Sequence, residues 1–229
     1  MTHFDKKAII LDFFSGSSTT AHAVMQLNVE DCGNRKYIMV QLPEETPEDS
    51  EARKAGYNTI PEIAKERIRR AGKKIKEENK DKEGIENLDT GFRVFRLADS
   101  NFEEVKKAPG EYDQSQLDLF LNNVKSDRTD LDLLFGAMLS WGVQLSLPMT
   151  SEEVDGKMIY SVNDGDLVAC FADDITENIV KAMADKQPLR VLFRDSCFAR
   201  DDAKINVFET LKQLLDWSEE EALKNIKVI

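Results

Sequence analysis

The chain has 229 residues, 41% of them hydrophobic and 32% charged, with a formal net charge of −12. This balance excludes a disordered polyelectrolyte, and no apolar run reaches the roughly 20 residues that cross a bilayer. Cys32, Cys170 and Cys197 form no CxxC pair and the histidines are only His3 and His22. Neither a structural zinc site nor a disulfide framework is therefore expected; free thiols in a cytoplasmic protein are.

Charge is unevenly spread. Up to Phe95 there are 16 basic and 17 acidic residues; from Arg96 onward there are 15 and 26. Phosphate-binding surfaces need clustered Lys and Arg, so the back half is expected to contact proteins rather than nucleic acid.

Taken in chain order, residues 8–11 are continuously apolar, as in a strand buried on both faces of a parallel sheet. A helix is expected from Thr19, with Ala21, Val24, Met25 and Asn28 at three-four spacing and Ser17 or Ser18 as its cap. Residues 37–40 read as a second buried strand, which completes a strand–helix–strand crossover unit. An acidic irregular loop covers residues 44–56. A long helix starts at Thr59-Ile60-Pro61-Glu62, with Ile63, Ile68, Ala71 and Ile75 as its apolar stripe. Residues 91–97 are expected to form a third strand, and a domain break is placed at Ala108-Pro109-Gly110. Beyond it, helices are expected over residues 114–124 and 130–141. Strands follow over 157–162 and 167–171, with turns at Asp155-Gly156 and Asp164-Gly165. A helix from Thr176, a strand over 189–193, a helix from Asp202 and a strand over 226–229 complete a second, smaller α/β unit.

The stretch DFFSGSSTTAHAV, beginning at Asp12, delivers the end of a strand to the start of a helix. Such turns form ligand crevices, and their backbone N–H groups favour an anion. A nucleoside triphosphate would need a lysine after a second glycine, and none follows Gly16 until Lys36; a dinucleotide would prefer three glycines where there is one. S-adenosylmethionine is the third class. Asp12 suits its ammonium, the helix start suits its carboxylate, and Phe13 or Phe14 can wall its adenosine. On spacing alone, a turn holding no ligand stands equal to these.

The same residues resemble the D-x-F-x-G-x-G-T-T cofactor motif of permuted (β-class) DNA amino-methyltransferases. NRKYIMVQLPE, from Asn34, resembles their second strand. The closer resemblance is to the Mod subunit of type III restriction-modification systems. It extends through ERIRRAG from Glu66, TGFRVF from Thr90, NDGDL from Asn163 and VLFRDS from Val191, almost the whole chain. The resemblance implies adenine-N6 methylation of DNA with S-adenosylmethionine as donor. By position, Asp12, Phe14 and Gly16 would line the methionine and adenosine, and Thr19 and Thr20 would hold the carboxylate end. Two positions depart from the pattern. Ser18 replaces the second glycine, and Gln41 stands where a ribose-binding acid is usual, without that acid's charge-assisted bond. The family's catalytic Asp/Asn-Pro-Pro-Tyr/Phe loop, which grips the flipped adenine, lies upstream of the cofactor motif, and no Pro-Pro pair occurs here. The chain therefore reads as the C-terminal portion of a longer protein, inactive alone. The resemblance further implies a homodimer bound to a restriction (Res) subunit, acting on DNA and not on membranes.

Other features read more plainly. Residues 65–82 carry nine basic and four acidic residues, a helix face that is either solvated or set against DNA phosphates. Asp195-Ser196-Cys197 has no histidine to activate the thiol. His22 takes a packing or surface position, and Trp141 and Trp217 anchor a core or interface. The expected fold is α/β: a partial Rossmann-like methyltransferase domain over residues 1–107 and a C-terminal α/β domain over 108–229 serving subunit contacts. The alternative is a non-catalytic dimerisation module derived from a methyltransferase.

Overall fold

The computed structural model describes residues 5–103, 123–198 and 201–229, and divides into one unit up to Phe95 and a second from Arg96. The domain break expected at residues 108–110 and most of the helix expected over 114–124 lie outside the described residues. The second unit is the longer of the two, so the expectation of a smaller one is corrected. Among the described residues the second unit holds a five-stranded sheet and the first a two-stranded one.

In the first unit, β1 (Ile9–Phe13), α1 (Thr19–Asp31) and β2 (Lys36–Val40) form the expected crossover, with β1 and β2 parallel and Leu11 opposite Ile38. A short helix α2 (Glu51–Lys54) interrupts the acidic loop. Helix α3 (Ile60–Glu78) starts at a capping box of Thr59 and Glu62, with Pro61 in the first turn. Both features satisfy or remove N–H groups that a helix start leaves unpaired. Helices α1 and α3 share one core, in which Ala21, Met25 and Val29 meet Ile68, Ala71 and Ile75. Gly72 allows a close approach there: a Cβ would lie 2.8 Å from the Cβ of Thr90. The α1–β2 turn is tied by Asn28, which accepts from the Arg35 N–H at 3.0 Å and donates to its carbonyl at 2.9 Å. Arg35 also grips Asp31 through both nitrogens, at 2.9 and 2.8 Å. That hydrogen-bonded guanidinium holds the Asp31 carboxyl below the usual carboxylate range.

Two expectations fail here. The first strand is not buried on both faces: Ile9 and Phe13 are each 63% exposed and Leu11 53%, and their β2 neighbours Ile38 and Val40 are exposed too. The helices cover one face of a two-stranded sheet, and nothing among the described residues covers the other. Residues 91–97 form no strand. Their β-prone side chains need an edge to pair with, and the two-stranded sheet does not extend to them.

In the second unit, α4 (Asp130–Ser140) precedes β3 (Met149–Val154), β4 (Lys157–Val162) and β5 (Leu167–Cys170). Then come α5 (Glu177–Ala184), β6 (Val191–Phe193), α6 (Asp201–Leu214), α7 (Glu219–Asn225) and β7 (Ile226–Val228). The sheet runs β3-β4-β5-β6-β7, antiparallel through β5 and parallel from β5 to β7. The two-residue period of the strands sends Val168, Cys170, Val191 and Phe193 to the side of α5, α6 and α7. It sends Leu167, Ala169 and Leu192 to the side of α4. Both faces are thus closed. Trp141 and Trp217 each pack against one of these cores. No helix among the described residues is long and apolar enough to cross a membrane.

Candidate cofactor turn

The turn begins where Phe13 ends β1. Phe14 (φ 56°), Gly16 (φ 54°) and Ser18 (φ 56°) all take left-handed backbone conformations before α1 starts. Two bonds fold the chain back: the Ser18 N–H donates to the Ser15 carbonyl at 2.8 Å, and the Ser15 N–H donates to Val40 at 3.0 Å. Ser18 is buried and stands at the N-cap, but its left-handed backbone directs its hydroxyl toward Ser15, 3.4 Å away, and it makes no side-chain cap. The expected capping by Ser17 or Ser18 is therefore corrected. A helix start without a capping oxygen leaves first-turn N–H groups for solvent or for an anion.

The remaining site residues fall into two pairs. Thr20 donates to Oδ2 of Asp12 at 2.6 Å, a bond that fixes the carboxylate at the strand's end. The Gly16 N–H donates to Oε1 of Gln41 at 2.8 Å, so a side chain from just beyond β2 reaches across to the turn. An added Cβ at Gly16 would meet no atom within 4 Å, so open space adjoins the glycine. Thr19 is exposed, and the rings of Phe13 and Phe14 are 63% and 73% exposed. The structure thus brings Asp12, Gly16, Thr20 and Gln41 together around the turn and leaves both phenylalanine rings largely in solvent.

Elsewhere the chemistry is quieter. Cys170 and Cys197 are buried, and burial pushes the Cys197 thiol up to about 12, so it is no nucleophile at neutral pH. The bond from Cys197 Sγ to the Cys170 carbonyl spans 3.7 Å. No group of three or more metal-ligating side chains occurs among the described residues. Sequence reasoning missed a groove of about 350 Å³ between α1 and α3, lined by His22, Tyr57, Ile63, Arg67, Arg70 and Lys74 among others. The available signal was the spacing of residues 67, 70 and 74, which shares one helix face with the apolar Ile63 and Ala71.

No family model matches the chain. Several curated proteins resemble it over parts of their length, three of them as follows. The type III restriction-modification enzyme StyLTI Mod subunit of Salmonella typhimurium is 48% identical over 94 residues, 41% of this chain and 14% of that protein. The EcoPI Mod subunit of Escherichia phage P1 is 30% identical over 186 residues, 79% of this chain and 26% of that protein. The type II methyltransferase M.KpnI of Klebsiella pneumoniae is 43% identical over 61 residues, 27% of this chain and 15% of that protein. The chain thus spans about a quarter or less of the length of these relatives.

Proposed function

We propose that this chain, homologous to a region of the Mod subunits of type III restriction-modification enzymes, holds S-adenosylmethionine for a site-specific adenine-N6 DNA methyltransferase. The observation that carries the reading is the β1–α1 turn: a left-handed Gly16 beside open space, a helix start without a side-chain cap, and a carboxylate fixed at the strand's end. These three features match the three charged or close-approach needs of an aminoacyl sulfonium nucleoside.

The group would supply an electrophilic methyl. The residues here would bind and orient it. Asp12, with Oδ2 satisfied by Thr20, offers its other oxygen to the ammonium. The first-turn N–H groups at Thr19 and Thr20 face a carboxylate, and their dipole favours its charge. Gly16 admits the ligand backbone, Phe13 and Phe14 wall the adenosine, and buried Ser18 shapes the turn. Gln41 accepts from Gly16, which leaves its amide N–H₂ for a ribose hydroxyl. In this reading the base-gripping Asp/Asn-Pro-Pro-Tyr/Phe loop and the target-recognition region belong to the rest of a longer cytoplasmic protein, so this chain alone transfers no methyl group. The acidic second unit serves subunit contacts, toward a second Mod copy and a restriction (Res) subunit.

A second reading has its own support. Gln41 seated on the Gly16 N–H satisfies the turn from within the chain, as a non-catalytic dimerisation module with an empty turn would. Calorimetric titration with S-adenosylmethionine decides between them. Saturable heat that weakens about ten- to a hundredfold in Asp12→Ala, the loss of one charge-assisted bond worth about 1.5–3 kcal/mol, supports the cofactor reading. No heat at millimolar ligand overturns it.

A further inference from the structure

The cations of the first unit are gathered in one place. Nine of its 16 basic residues lie within residues 65–82, although the unit as a whole is close to neutral. Helix α3 buries Ala64, Ile68, Ala71, Gly72 and Ile75, and that inward stripe forces Arg67, Arg69, Arg70, Lys73 and Lys74 to the solvent side. Of these, Arg67, Arg70 and Lys74 border the groove between α1 and α3, together with His22 and Tyr57. A solvated helix face needs no concavity; here three cations share one.

The charges in the groove are arranged for an anion from outside. Glu66 is its one carboxylate, and it is already engaged: Nε of Arg70 donates to it at 2.7 Å, and Arg69 lies 3.8 Å away. Arg70 is also steadied by a 3.2 Å bond to the Tyr57 hydroxyl, so little rotamer freedom remains to be lost on binding. Arg67 makes no ion pair among the described residues, and Lys74 reaches Glu78 only at 3.6 Å. The groove carries three cations against one acid, and two of the cations are guanidinium forks suited to bidentate contact with phosphate oxygens. From Arg67 to Lys74 the helix rises roughly 10 Å. Along that distance one DNA strand presents about two phosphates, because consecutive phosphates wind around the duplex and stand roughly twice the 3.4 Å axial rise apart.

We propose that the groove between α1 and α3 is a docking surface for the phosphate backbone of duplex DNA, contacted by Arg67, Arg70 and Lys74. It is separate from the cofactor turn, goes beyond the cofactor reading and fails independently of it. The contacts are sequence-independent: they position the chain on the duplex and read no bases.

The test is fluorescence anisotropy of a labelled duplex with the full chain across a salt series. The variants are R67E/K74E, both groove residues being exposed, and, for comparison, K54E/K224E, two exposed lysines outside the groove. Circular dichroism melting checks that all stay folded, and S-adenosylmethionine calorimetry reports the turn separately. The wild-type chain is expected to bind at low salt. R67E/K74E weakens binding at least tenfold and flattens the log–log salt slope by about two, near 0.9 per lost phosphate contact. K54E/K224E changes the slope by less than half as much. No binding by the wild-type chain, equal weakening by both pairs, or displacement of the duplex by polyglutamate at equal ionic strength would each overturn the proposal. Any of these results leaves cofactor binding to stand or fall on its own titration.

Discussion

At the scale of single residues, Gly16 and Gln41 divide the work of the turn. A φ of 54° at Gly16 costs a residue with a Cβ roughly 1–2 kcal/mol, yet no atom lies where that Cβ would go. Packing therefore does not require the glycine; conformation does, and in the proposed cofactor reading ligand approach would as well. Gly16→Ala is expected to lower stability by about 1–2 kcal/mol while reducing S-adenosylmethionine affinity by considerably more, because the methyl projects into the space the nucleoside would enter. Chemical denaturation and calorimetry on the same protein separate the two effects. A stability loss with unchanged affinity would remove Gly16 from the site. The positions of Asp12 near the end of β1 and Gly16 in the turn after it were legible from the apolar run and the glycine, and that of Gln41 just beyond β2 from the resemblance to the methyltransferase motif. The Gln41 bond to the Gly16 N–H was not legible, because a pattern gives positions and no side-chain reach. Ser18 misled for a related reason: a serine before a helix reads as a cap, but its left-handed backbone sends the hydroxyl elsewhere.

At the scale of elements, local signals worked where the partner was close in sequence. The start at Thr59-Ile60-Pro61-Glu62 and the turn glycines at 156 and 165 each placed an element correctly. Gly165, at φ 112° with the Lys186 carbonyl 2.6 Å from any added Cβ, admits no other residue without rearrangement. Strand β3 escaped notice because MTSEEV lies mostly in solvent at a sheet edge and shows no apolar alternation. Helix α7 was missed despite its capping box of Ser218 and Glu221. The burial of β1 was misjudged because an apolar run reports what a strand needs and not whether the chain in hand meets that need. Its open face follows as a prediction. Ile9, Leu11, Phe13, Ile38 and Val40 together should bind a hydrophobic dye, and Leu11→Glu should reduce that signal and raise solubility. Because Leu11 is exposed, stability should change by no more than about 0.5 kcal/mol. A Leu11→Glu variant that unfolds instead would mean the face is already covered.

At the scale of the molecule, the two units are finished to different degrees. The second encloses a five-stranded sheet on both faces. The first leaves a parallel pair of strands open on one, although parallel sheets are almost always covered on both. Each large apolar side chain buried on that face would contribute about 1.5–3 kcal/mol, enough to hold a complementary piece of protein. The same piece has a chemical task in the proposed enzyme. The adenine amino group must be fixed beside the methyl donor by a polar side chain and a backbone carbonyl, and no Pro-Pro loop occurs in this sequence. Both deficits are met if an upstream methyltransferase segment docks on the sheet of β1 and β2. A separately expressed segment carrying the Asp/Asn-Pro-Pro-Tyr/Phe loop, mixed with this chain, should incorporate labelled methyl groups into duplex DNA at adenine N6, while neither part does so alone. Leu11→Glu should weaken this reconstitution in proportion to lost assembly, and Asp12→Ala should lower turnover at sub-saturating S-adenosylmethionine by about ten- to a hundredfold while the two parts still co-elute. Methyl transfer by this chain alone would show that the donor and the base are both held within it, and the open face would then need a different explanation.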